Sequence, residues 1–162
     1  MDQTHIHLVI THLPIFGSIL GGFVLAYGLW IKSNETKIAA YGLLIISSIG
    51  ASIAYLTGEA AEESVEHLPE VFEATIERHE YFAIYALVSL IILGVASIIA
   101  IFLTLRKSTA TRTLGFVILL ISLVSFGLVA RTGFLGGQIR HSEIVKGATT
   151  PIDNTESESD DD

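Results

Sequence analysis

Imidazole is the side chain this sequence offers for binding a metal or haem iron. The chain has six histidines, no cysteine, and its one methionine at position 1. The histidines are His5, His7, His12, His67, His79 and His141. Without cysteine there are no disulfides, no thiolate metal sites and no CxxCH attachment of a c-type haem. Neutral imidazole binds haem iron, copper, zinc or nickel, and a bis-histidine b-type haem is the simplest cofactor for such a chain. Copper or zinc is the alternative. No nucleophilic triad, phosphate loop or zinc-protease motif is present, so nothing points to an enzyme.

Context separates the histidines. His12, in "VITHLPIF", has apolar neighbours on both sides, and His79, in "IERHEYFAIY", falls in an apolar stripe. An ionisable group at a membrane boundary is costly unless paired or used. His141 follows Gly136-Gly137, a pair that could turn the chain back toward His12 and His79. These three histidines are the leading cofactor ligands. Arg131 and Arg140 could pair with haem propionates, or anchor the last helix at the interface. His5 and His7 flank Ile6 near the terminus and suit a weaker metal site. Glu63 and His67, four apart on one helical face, form a rival carboxylate–imidazole pair.

The elements that must position these residues are membrane helices. Four stretches lack any charged residue: Leu13 to Ile31, Ile38 to Gly58, Tyr81 to Leu105 and Thr113 to Ala130, of 19, 21, 25 and 18 residues. Crossing about 30 Å of hydrocarbon takes about 20 apolar residues. The fourth stretch holds twelve Leu, Ile, Val or Phe residues, each favouring insertion by about 0.3 to 0.6 kcal/mol. The fold expected is all-α: an integral membrane four-helix bundle with an extracytoplasmic helical extension before helix 3. Residues 1–147 form the transmembrane domain, with spans near 8–31, 38–58, 80–105 and 113–135. Residues 148–162, small, polar and acidic, are expected to be a disordered tail.

Lys32 and Lys37 follow the first span, and Arg106, Lys107 and Arg112 follow the third. Short Lys- and Arg-bearing loops stay cytoplasmic, which places both termini and the 59–80 segment outside. "MDQTHIH" carries no basic residue, so the first span reads as retained rather than as a cleaved signal. Gly17, Gly21 and Gly22 give the first helix a face for close helix packing. "GEAAEESVEH" reads as a short helix opened by Gly58. From Glu70, apolar residues at three- and four-residue steps predict an amphipathic start to the third span. The net charge of −8 lies mostly outside the spans, which argues against nucleic acid as a partner.

Three motifs together, "HLVITHLPIF", "YLTGEAAEESVEHLPEVFEATIERHEYFA" and "ARTGFLGGQIRHSEI", resemble an uncharacterised family of four-helix bacterial inner-membrane proteins. Relatives in that family can be fused to cytochrome c-like modules. The resemblance spans residues 5 to 145 and implies a membrane protein linked to electron transfer and haem, with His12, His79, Gly136, Gly137 and His141 as the positions of interest. This chain carries no such module, so a redox protein or a larger membrane complex would be its partner. A non-catalytic accessory or assembly subunit is the contrasting expectation.

Overall fold

The computed structural model describes residues 3–66 and 73–147, and within these the side chains of 4–63 and 73–139. Six helices follow in order: α1 (Gln3–Ile10), α2 (His12–Trp30), α3 (Asn34–Leu56), α4 (Gly58–Glu66), α5 (Glu73–Leu105) and α6 (Thr111–Gly147). No strand occurs among the described residues. The chain crosses a membrane-thick layer four times, through Thr4–Trp30, Asn34–Leu56, Glu73–Leu105 and Thr111–Ile139. The expected acidic tail at 148–162, His67 and the Glu70 start of the amphipathic segment lie outside the described residues.

α2, α3, α5 and α6 form a closed ring in which each helix packs on its two neighbours. Successive helices alternate in direction because their connections are short. Leu25, Leu44, Leu90, Leu93 and Ile118 are fully buried on the axis. Large apolar side chains also face outward, Trp30 at 81% and Leu56 at 78% exposure. In water such a surface would drive aggregation, whereas hydrocarbon is its proper solvent.

Since lipid is as apolar as leucine, helix contact here depends on close approach. Gly17 lies so near α3 that a Cβ would come within 2.8 Å of the Ser47 Cβ, and one on Gly22 within 2.9 Å of the Ser122 Oγ. The glycine face read from the sequence is therefore the packing face of α2. Ser47 adds a polar link across it, donating to the Pro14 carbonyl at 3.0 Å, which also accepts from Ser18 at 2.7 Å. Among the described residues, the buried hydroxyls of Tyr41 and Ser125 have no hydrogen-bond partner.

The two turns at the basic end share one design. Lys32 (φ 56°) and Lys107 (φ 53°) adopt the left-handed conformation. The next residue's N–H then reaches back over the helix end, Ser33 to the Gly28 carbonyl at 3.1 Å and Ser108 to the Leu103 carbonyl at 3.0 Å. This is the Schellman stop, usually made with glycine. Ser33 then caps α3 by accepting from the Thr36 N–H at 3.1 Å.

At the other end, the first span is interrupted at Thr11 rather than running unbroken from residue 8. Pro14 has no N–H to offer the carbonyl four residues back, which weakens the helix at that turn. α5 begins well before its apolar run, as the amphipathic pattern predicts: Ile76 is buried, while Glu73, Glu77, Arg78 and Glu80 are exposed. Its 33 residues span about 50 Å at 1.5 Å each, so its first turns stand clear of the hydrocarbon.

Candidate functional site

His79 sits on the first turns of α5, one helical turn after buried Ile76, and is itself half-buried against α6. Its Nδ1 lies 3.0 Å from the Thr132 carbonyl oxygen. A carbonyl only accepts, so Nδ1 carries the hydrogen and the Nε2 lone pair is free to bind. Gly136 makes the bond accessible. In an α-helix the side chain four residues on leans back over a carbonyl, and a Cβ at Gly136 would lie 3.1 Å from the His79 Cε1.

His7 repeats the arrangement. Its Nδ1 donates to the Ala54 carbonyl at 2.8 Å, at the end of α3, with Thr57 Oγ1 3.3 Å from the same nitrogen. The residue four after Ala54 is Gly58, where a Cβ would meet the His7 Cε1 at 3.6 Å. "AYLTG" at 54–58 and "TGFLG" at 132–136 thus play the same part. In each a glycine four residues on leaves a backbone carbonyl open, at the end of α3 in one case and within α6 in the other, and each receives a histidine from a helix running the opposite way.

The expected convergence of His12 with His79 does not occur. His12 is exposed, bonds Leu8 of its own helix through Nδ1 at 3.0 Å and stacks on Phe16 with ring centres 6.4 Å apart. It precedes buried Pro14 by two positions, about 200° round the helix, and so faces away from the bundle. His7 precedes Pro14 by seven, within about 20° of two full turns, and so lies close to the packing face that continues through Gly21 and Gly28. That sevenfold spacing was the sequence signal favouring His7 over His12.

The turn expected at Gly136-Gly137 is also absent. Neither glycine has positive φ, and α6 runs through both to Gly147. Gly136 serves close approach rather than reversal, and a Cβ at Gly137 would meet nothing within 4 Å. On a straight helix, position 141 lies about 7.5 Å beyond Gly136 and about 140° round from it, so α6 is not a returning arm. The side chains of His141 and Arg140 are outside those described.

Arg131 is exposed, with its guanidinium 5.6 Å from the ring centres of both Phe82 and Phe134. It thereby ties the start of α5 to α6. His5 is exposed on α1. Glu63 lines an open depression of about 220 Å³ with Glu59 and Ala60 of α4 and Leu56 at the end of α3. Among the described residues, no three of His, Cys, Asp and Glu gather as a metal cluster.

The arrangement therefore supplies two oriented imidazoles on different helices at one end of a membrane bundle. Comparison of the chain with protein families, with curated proteins and with solved structures finds no match.

Proposed function

We propose that this multi-pass membrane protein resides in a bacterial inner membrane, binds b-type haem at its extracytoplasmic end, and serves as an electron-transfer or redox-sensing component. The observation that carries the reading is the setting of His79: half-buried at the bundle mouth, with Nδ1 donating to a backbone carbonyl. That second bond fixes the tautomer and the ring plane, as it does for metal-bound histidines generally.

Ligand number favours haem over zinc. A zinc site takes three or four protein ligands. Haem iron receives its equatorial nitrogens from the porphyrin and needs axial ligands alone from the protein. Imidazole nitrogen is a donor that suits such iron. Once bound, it supplies one-electron chemistry. The chain's own part is to hold the imidazoles oriented, and Arg131 is placed near the same mouth to meet an anionic substituent.

Orientation follows the basic residues. Lys32, Lys107, Arg106 and Arg112 are all exposed at the end where α2 passes to α3 and α5 to α6, and the tendency of short basic loops to stay cytoplasmic supports an orientation with the histidines outside. A redox protein or membrane complex on that outer side is the partner.

Untagged protein purified from native membranes is expected to show a Soret band that shifts on reduction, with about one haem per chain or per two chains. Preparations without haem from haem-replete cells would remove this reading.

A further inference from the structure

We infer that the basic end of the bundle binds membrane lipids whose headgroups carry a net negative charge, through Arg106 and Arg112 of the α5–α6 turn. The inference stands apart from the haem reading, which concerns the opposite end of the molecule.

The first support is the division of charge. In the stretches 31–38 and 105–113, five basic residues face one acid, Glu35. The carboxylates of α4 and of the first turns of α5 all lie at the opposite end. Glu35 is itself engaged, accepting from the Ser33 hydroxyl at 3.0 Å. Among the described residues no ion pair holds Lys32, Arg106, Lys107 or Arg112. Lys37 is turned inward, 6% exposed and with its Cγ against Gly28, so the other four are the surface charges. Basic side chains left unneutralised beside apolar helix ends are complementary to anionic headgroups.

The second support is where the guanidiniums lie. Arg106 directly follows α5, and its guanidinium carbon is 4.9 Å from the ring centre of Phe102, one turn back toward the hydrocarbon. Arg112, in the first turn of α6, has its own 6.0 Å from the ring centre of Phe116, one turn on in the same direction. Phe102 and Phe116 are 55% and 47% exposed on the outer surface of the ring of helices. Trp30, with Tyr27 beside it, is exposed at the same end, and such aromatics sit at headgroup level. Arg106 also starts from a fixed backbone, since its N–H bonds the Phe102 carbonyl at 3.0 Å.

Two cations are thus kept beside rings that acyl chains cover, which favours a lipid over a soluble anion. The planar guanidinium fork suits the paired oxygens of a phosphodiester. A zwitterionic lipid offers the same phosphate but brings its own cation beside it. Exposed Lys32 and Lys107 oppose that second cation, and so favour a headgroup without one.

The test is lipid retention by the full-length protein. It is mixed in mild detergent with equal amounts of phosphatidylcholine and phosphatidylglycerol, repurified, and its retained lipids are measured by mass spectrometry. Phosphatidylglycerol should be retained in excess. A basic residue near an anionic surface is worth about five-fold in binding, so Arg106→Gln and Arg112→Gln should each lower that excess by up to this factor. Arg106→Lys and Arg112→Lys keep the charge but lose the paired hydrogen bonds, and should fall between. Arg78→Gln makes the same charge change at an exposed position of the opposite end, and should leave the excess as it was. If the glutamine variants yield too little folded protein, thermal unfolding decides. Phosphatidylglycerol should then raise the unfolding temperature of the wild type more than phosphatidylcholine does, and by less in the lysine variants. Equal retention of the two lipids by the wild type, an excess that survives both glutamine substitutions together, or an equal loss in Arg78→Gln overturns the inference. So does displacement of the lipid by inorganic phosphate where sodium chloride of equal ionic strength has no effect, which would make this a site for free phosphate. Haem content enters none of these outcomes.

Discussion

His79 on α5 donates its Nδ1–H to the Thr132 carbonyl of α6 at 3.0 Å, across a gap kept open by the missing side chain of Gly136. The bond ties two membrane helices together at the end opposite the basic turns and fixes which imidazole nitrogen remains free. The opposite hairpin repeats it with His7, Ala54 and Gly58.

Gly136→Ala puts a methyl 3.1 Å from the His79 ring. The ring must shift or lose its carbonyl bond, so a cost of about 1 to 3 kcal/mol is expected, with lowered haem occupancy. Gly137→Ala meets nothing within 4 Å and should stabilise α6 by about 0.5 to 1 kcal/mol. Gly58→Ala, at ordinary contact distance from His7, should fall between. Thermal unfolding in detergent, read beside haem content, ranks the three.

Ser47→Ala removes the hydroxyl linking α3 to the Pro14 carbonyl of α2. A loss of about 0.6 kcal/mol, and at most about 1.7, is the scale for such bonds in membranes. Ser125 is equally buried but its hydroxyl is unpartnered among the described residues, so Ser125→Ala should be neutral or stabilising. Equal losses at both sites would contradict the hydrogen-bond assignment.

Gly17→Ala drives a methyl to 2.8 Å from the Ser47 Cβ and 3.2 Å from its Cα. Backbone cannot yield as a side-chain tip does, so α2 and α3 must separate, at about 1 to 3 kcal/mol. Gly127→Ala has open space and provides the control in the same unfolding assay.

Lys107→Gly should stabilise the α5–α6 turn by about 1 kcal/mol, since glycine accepts the left-handed conformation that lysine holds at φ 53°. The same exchange at exposed Arg106, whose φ is not positive, should not stabilise.

The absence of cysteine makes topology directly measurable. A membrane-impermeant maleimide should label Glu59→Cys in intact spheroplasts, and Thr109→Cys only in inverted vesicles. The reverse pattern would turn the histidine end toward the cytoplasm.

The sequence by itself determined the number and order of the membrane helices, the packing face of Gly17, Gly21 and Gly22, and the short helix beginning at Gly58. These depend on local quantities: the length of an uncharged run against the thickness of hydrocarbon, or the spacing of small residues along one helix. The tertiary structure decided which histidines meet. His12 looked privileged because it sits among apolar residues, yet composition cannot distinguish a lipid-facing position from a bundle-facing one when both surroundings are apolar. Helix phase makes that distinction, and phase was set by the contact of α2 with α3. Gly136-Gly137 is ambiguous for a related reason. Glycine permits both a reversal and a close approach, and only the placement of His79 against α6 selects the second. Thr132 left no side-chain signal, because its part in the site belongs to its backbone carbonyl.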